Sequence, residues 1–79
     1  MPVKIFLSST LRDYAFDYDP LKGFELAVDR GTSIAELCRM IRIPLDSLKI
    51  AMVNGRRQPL EYVLKGDERV ALFPPVGGG

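Results

Sequence analysis

The stretch with the clearest chemical use is the last one, Phe73-Pro74-Pro75-Val76-Gly77-Gly78-Gly79. Gly77, Gly78 and Gly79 leave the backbone bare beyond Cα, so the segment is thin and conformationally permissive. A strand of bare backbone can thread a narrow channel and present a terminal carboxylate to an enzyme. With glycine at about 7% of residues, three in succession at a terminus arise by chance in roughly 3 of 10,000 chains. Gly79 is therefore the candidate reactive position, with Gly77 and Gly78 as its leash. Pro74 and Pro75 stop any preceding strand and stiffen the spacer, which aims the glycines away from it.

Other chemistry is scarce. The chain has no histidine and one cysteine, which excludes Ser-His and Cys-His nucleophile pairs, histidine-ligated metals and a CxxC pair. No cluster of carboxylates, lysines or tyrosines replaces them, and no metal or bound cofactor is expected. The composition points to a carrier or binding module rather than an autonomous enzyme. Net charge is +1, and Arg56-Arg57 is the only adjacent basic pair, so no nucleic-acid partner is expected. No apolar run approaches the roughly 20 residues that span a bilayer, so no membrane association is expected. The N-terminus lacks a signal peptide's features, and a single cysteine suits a reducing compartment. Cytoplasmic localisation is the expectation.

The elements that hold the tail out can be read from periodicity. Seventy-nine residues, 47% apolar and 27% charged, make one small folded domain. Residues 1–76 are assigned to it and 77–79 to a flexible tail. Val3, Ile5 and Leu7 alternate with Lys4, Phe6 and Ser8, predicting a strand with its aliphatic face inward. Phe6 is then an aromatic on the opposite face, covered either by the chain's own loop or by a partner. Residues 10–14 fit a short helical turn, or the alternating residues 16–19 a short extension of the next strand instead; Tyr14, Phe16 and Tyr18 are read as local packing. Phe24, Leu26 and Val28 mark the inner face of a second strand.

Ser33-Ile34-Ala35-Glu36 fits a capping box, and Ile34, Leu37, Cys38 and Ile41 fall on one helical face. Pro44 predicts the helix end, through its effect on Ile43. Cys38 sits on the buried stripe, as a core residue rather than a reactive thiol. Residues 49–53 predict a third strand, Asn54-Gly55 a tight turn and residues 56–62 an edge strand blunted by Pro59. Val63 and Leu64 are expected to anchor the next turn. Residues 69–73 predict the last strand, with Val70 and Leu72 inward, Ala71 and Phe73 outward. Phe6 and Phe73 lie close together if the first and last strands are neighbours.

This order, with Val53-Asn54-Gly55, Leu64-Lys65-Gly66-Asp67-Glu68-Arg69-Val70 and the Phe-Pro-Pro-Val-Gly-Gly-Gly ending, resembles the ThiS/MoaD sulfur carriers over essentially the whole chain. The Phe-Pro-Pro element is most similar to the molybdopterin synthase small subunit (MoaD-like). The resemblance implies an α+β, ubiquitin-like β-grasp fold: a mixed sheet of four to five strands with one main helix on one face. It implies that an E1-like adenylyltransferase (MoeB/ThiF-like) activates the Gly79 carboxylate with ATP. A sulfur donor enzyme then makes the thiocarboxylate, and a large synthase subunit (MoaE-like) receives the sulfur in molybdenum cofactor biosynthesis. Phe6, Phe73, Pro74, Pro75 and Val76 would contact these partners. Thiamine or another thiolation pathway, and a ubiquitin-like protein modifier, are the alternatives. Arg56-Arg57 departs from the more apolar contact expected of the molybdopterin branch.

Overall fold

The computed structural model describes residues 1–14, 18–19 and 21–75. Five strands make one mixed sheet in the order β2-β1-β5-β3-β4. They are β1 (Pro2–Leu7), β2 (Phe24–Ala27), β3 (Ile50–Val53), β4 (Arg56–Gln58) and β5 (Arg69–Phe73). β1 and β5 run parallel, and the other pairs are antiparallel. One α-helix, α1 (Ile34–Ile41), joins β2 to β3, and 3-10 turns cover Ser9–Tyr14 and Leu45–Ser47.

Alternation decides which side of the sheet becomes the core. Val3, Ile5 and Leu7 of β1, Val70 and Leu72 of β5, and Ala51 and Val53 of β3 are buried in one cluster with Ile34, Leu37 and Cys38 of α1. The helix therefore covers the face these residues share. Phe24 and Leu26 are half-buried against the same cluster, and Val28 is buried just beyond the end of β2. Leu11 of the first 3-10 turn is buried, whereas Tyr14 stays exposed. Tyr18 packs as expected: its hydroxyl accepts a 2.7 Å bond from the Leu7 amide, and its ring meets Phe24 edge-on. Phe16 lies outside the described residues.

The capping box forms in full, with the Ser33 hydroxyl accepting from the Glu36 amide and the Glu36 carboxylate accepting from the Ser33 amide. Two further first-turn amides donate across the fold: Ile34 to the Tyr62 carbonyl and Ala35 to the Leu60 carbonyl, both at 3.0 Å. These bonds explain the first correction. The edge strand expected over 56–62 is only Arg56–Gln58. Pro59 has no amide for the ladder, and the following carbonyls turn away to satisfy the orphan donors that every helix N-terminus carries. In the next turn only Leu64 is an anchor, since Val63 is half-exposed while bridging Ser33.

The second correction is at the helix C-terminus. The helix stops at Ile41, before Pro44 acts, because Arg42 takes a left-handed conformation with φ 70°. The Ile43 amide then reaches back to the Cys38 carbonyl at 2.8 Å, the bond that closes a Schellman turn. That reversal drops Ile43 into the core. Asn54 and Gly55 carry the two positive φ angles, 52° and 83°, that a tight hairpin between β3 and β4 needs.

Candidate functional site

β5 is the strand that leads to the tail, and its position fixes what surrounds the tail's base. It lies inside the sheet between β1 and β3. Ile5, Phe6 and Leu7 pair with Val70, Ala71 and Leu72, and Ile50 pairs with Phe73. The Ser8 amide donates to the Leu72 carbonyl at 3.2 Å, and the Lys49 amide to the Phe73 carbonyl at 2.8 Å. The chain is thus held on both sides up to its last strand residue. Pro74, half-buried, and Pro75, exposed, follow. Neither proline has an amide to extend the ladder, so among the described residues the pairing ends at Phe73. Val76, Gly77, Gly78 and Gly79 lie outside the described residues.

Phe6 and Phe73 both sit on the sheet face that α1 leaves uncovered, and both are half-buried. Phe6 is level with Ala71, so Phe73 is the diagonal neighbour two residues further along β5. The expected proximity of the two aromatics follows from the parallel pairing of β1 with β5. Part of the cover for Phe6 comes from its own chain: a Cβ added at Gly23 would lie 3.1 Å from two carbons of the ring. Two cations also lie over the ring: the Arg69 guanidinium 4.4 Å and the Lys4 ammonium 6.0 Å from its centroid, a cation–π arrangement.

Four further residues on this face were not singled out for function by sequence reasoning. Met52 is level with Ala71 and Ile50 with Phe73, which extends the apolar stripe across β3. Arg57 of β4 is level with Met52, and Arg69 of β5 with Lys4. The alternation of residues 50–53 already put Ile50 and Met52 on a common face. Which face that was depended on β3 pairing with β5, and that is not readable locally.

The described side chains offer little catalytic chemistry. Cys38 is fully buried, and burial pushes its thiol up to about 11. It is therefore neutral and shielded near pH 7, unlike a reactive thiolate. Among the described residues no group of three or more histidine, cysteine, aspartate or glutamate side chains could hold a metal ion. Nor, among the described residues, is any helix long and apolar enough to cross a membrane.

Among the described residues Glu68 is the other buried ionisable side chain, and its role is architectural. Its Oε1 accepts from the amides of Lys65 and Gly66 at 2.6 and 2.9 Å, and its Oε2 from the Tyr62 hydroxyl at 2.9 Å. The carboxylate thereby fixes the loop immediately before β5.

Comparison with known proteins agrees with this architecture. SAMP1 from Haloferax volcanii superposes with a TM-score of 0.72 over 100% of both chains at 18% identity. A protein from Pyrococcus furiosus described as molybdopterin converting factor, subunit 1, gives 0.69 at 21% identity, covering 95% of this chain and 98% of that one. The HVO 2177 protein of Haloferax volcanii gives 0.75 at 18% identity, covering 100% and 87%. No curated protein sequence matches the chain. At these identities the superpositions establish the fold, which is the ubiquitin-like β-grasp. The sequence model of the ThiS family matches residues 14–79, from the first 3-10 turn through the glycine tail, and the chain belongs to that family of small ubiquitin-like sulfur carriers.

Proposed function

We propose that this protein is a sulfur carrier whose Gly79 carboxylate is activated and converted to a thiocarboxylate. The observation that carries the reading is the junction at Phe73. Among the described residues the sheet's hydrogen bonding ends there, Pro74-Pro75 has no amide to continue it, and the sequence runs on through Val76 into Gly77-Gly78-Gly79. In this reading an E1-like adenylyltransferase joins the carboxylate to AMP with loss of pyrophosphate from ATP. A carboxylate resists substitution because its oxygen is a poor leaving group, and the AMP ester supplies a good one. A sulfide-level nucleophile supplied by a donor enzyme then adds to the carbonyl carbon, and the bond to AMP breaks, leaving the thiocarboxylate and free AMP. The carrier itself contributes no catalytic side chain and binds no cofactor; ATP is the activating enzyme's substrate.

The Phe73-Pro74-Pro75-Val76 element favours the molybdopterin branch. A large synthase subunit would receive the tail, with Phe6, Phe73, Pro74, Pro75 and Val76 at the contact. A reducing cytoplasm suits both the single thiol and the thiocarboxylate. The test is intact-mass spectrometry after incubation with an E1-like enzyme of the source genome, ATP and a sulfur source. One terminal oxygen should be replaced by sulfur, and deletion of Gly79 should abolish the change without altering the thermal midpoint. No mass change with any such enzyme would overturn the reading.

A second reading, protein modification through an isopeptide bond from Gly79 to lysines, is favoured by the likeness to Haloferax volcanii small archaeal modifier protein 1. A ladder of covalent adducts in native lysate would support it, and a single unconjugated band the carrier.

A further inference from the structure

The sheet ends in two edges, β4 and β2, and they are built differently. On β4, Val53 and Arg56 close the Asn54-Gly55 hairpin and Ala51 faces Gln58. Bonded and unbonded pairs alternate along an antiparallel ladder, so Arg57 alone turns its amide and carbonyl outward. Pro59 has no amide to lengthen that edge. A second copy laid against it would set Arg57 opposite Arg57. A short strand, charge and proline are the devices that keep sheet edges unpaired.

β2 lacks the proline and the doubled charge. The Val28 amide donates to the Met1 carbonyl at 2.9 Å, and the Met1 nitrogen to the Val28 carbonyl at 3.1 Å. By the same alternation, Leu26 and Phe24 turn their backbone groups toward Val3 and Ile5 of β1. Glu25 and Ala27 therefore turn theirs to the open edge, and among the described residues nothing bonds them. The Lys4 amide agrees: it points away from β2, to the Glu68 carbonyl at 2.8 Å. Glu25 and Ala27 are both exposed, and Glu25 is the strand's single charge.

We propose that the free edge of β2 pairs antiparallel with β2 of a second copy of this chain, with Glu25 opposite Ala27 and Leu26 opposite Leu26. The two sheets become one across a two-fold axis, with the same strand on both sides. Charge selects this register. Only Glu25 and Ala27 have outward groups on the strand, so the bonded pairs are drawn from them. Pairing Glu25 with Glu25 opposes two carboxylates, and pairing Ala27 with Ala27 brings Glu25 level with Asp29. Like charges directly opposite are destabilising. In the remaining register Glu25 faces a methyl, and each outward pair exchanges both of its hydrogen bonds. Leu26 then meets Leu26 on the face that also carries half-buried Phe24. Lys22 and Arg30 stand in the turns that end the strand, outside the ladder. This contact lies beyond the carrier chemistry, because β1 separates β2 from β5 and the strand that leads to the tail takes no part. A four-residue ladder falls short of the roughly 1,200 Å² that stable interfaces bury, so the dimer is a weak, concentration-dependent one.

The experiment is sedimentation equilibrium of the full-length chain from about 0.01 to 1 mM, which reads a weak dissociation constant directly. The wild type should move from monomer towards dimer over that range. Ala27→Glu sets a carboxylate against Glu25 at both symmetric pairs and should raise the dimer Kd roughly threefold to tenfold, whereas Ala27→Lys should lower it by a similar factor. Both responses should shrink in about 0.5 M NaCl. Position 27 is exposed, and thermal midpoints establish that each variant is folded. Cross-linking tests the register. The Leu26 pair is of the unbonded type, with Cα atoms about 4.5 Å apart, inside the roughly 4.4–6.8 Å that a disulfide spans. Leu26→Cys should therefore give a covalent dimer on mild oxidation. Glu25→Cys, which faces position 27 rather than itself, should not, and neither should the wild type, whose Cys38 is buried. A wild type that stays monomeric up to about 1 mM would overturn the proposal. So would a dimer whose Kd moves by less than about twofold in both Ala27 variants, or one that cross-links through Glu25→Cys and not Leu26→Cys. A dimer that responds to Arg57→Glu instead would place the contact elsewhere and overturn it as well.

Discussion

The Tyr62 hydroxyl donates a 2.9 Å hydrogen bond to the Glu68 carboxylate, across the loop that delivers the chain to β5. The same carboxylate holds the amides of Lys65 and Gly66 and is only 5% exposed. Tyr62 is in turn tied to the helix, since its carbonyl accepts from the Ile34 amide. One acidic side chain thus connects the helix N-terminus, the 62–68 loop and the strand that leads to the tail.

Removing that carboxylate leaves two backbone amides without their partner. Glu68→Ala is expected to lower stability by about 1–3 kcal/mol, the penalty for unsatisfied buried polar groups. Tyr62→Phe, which deletes a single donor, should cost less than Glu68→Ala. Urea titrations of both variants give the comparison. A Glu68→Ala variant as stable as wild type would show that the loop is held by something else.

Stability should fall at alkaline pH, and two groups set the direction. The hydrogen bond to Glu68, with smaller contributions from burial and the adjacent negative charge, holds the Tyr62 phenol above its ordinary value. Burial pushes the Cys38 thiol up to about 11. Both groups are therefore kept neutral in the fold. Their contributions are fully present below the unfolded values, about 8.5 for cysteine and about 10 for tyrosine, and are lost as pH rises through the folded ones. The urea midpoint should be lower at about pH 10.5 than at about pH 7, and Tyr62→Phe should lessen the part of that decline lying above about pH 10. An unchanged or rising midpoint over this interval would contradict the assignment.

Two glycines with similar backbone angles should respond differently to alanine. Gly55, at φ 83°, has nothing within 4 Å of an added Cβ, so Gly55→Ala carries only the left-handed penalty of about 1–2 kcal/mol. Gly23, at φ 66°, would bring the new methyl against the Ile5 carbonyl oxygen and the Phe6 ring. Gly23→Ala should therefore be the more destabilising of the pair by equilibrium unfolding, and it should disturb Phe6 on the sheet face that α1 leaves uncovered. Equal losses would mean that the β1–β2 connection yields more readily than its packing implies.

The order of elements was legible in the sequence because each carries its own local signal. Alternation in residues 3–7 and 69–73, the Ser33–Glu36 capping box and Asn54-Gly55 depend on neighbours a few residues away. Physics acting at that range survives in a linear string. The helix end was misplaced for a related reason: Pro44 is an obvious breaker, whereas a left-handed Arg42 has no signature in residue type. The edge strand was drawn too long because residues 59–62 serve the helix N-terminus, a partner more than twenty residues away in the chain.

The candidate site divides along the same line. The sequence by itself determined that Gly77-Gly78-Gly79, after two prolines and a phenylalanine, is where chemistry is to be sought. That conclusion needed only residue types, and the missing histidine supported it. Tertiary structure decided what surrounds the base of the tail. Parallel pairing of β1 with β5 puts Phe6 beside Phe73, and antiparallel pairing of β3 with β5 turns Ile50 and Met52 onto the same face. Strand order is a long-range choice governed by how the apolar faces close over one helix. A shift of one residue in any register would turn that strand's side chains to the opposite face. The glycine tail is written in the chain, but the apolar stripe of Phe6, Phe73, Ile50 and Met52 across β1, β5 and β3 exists only once the sheet is assembled.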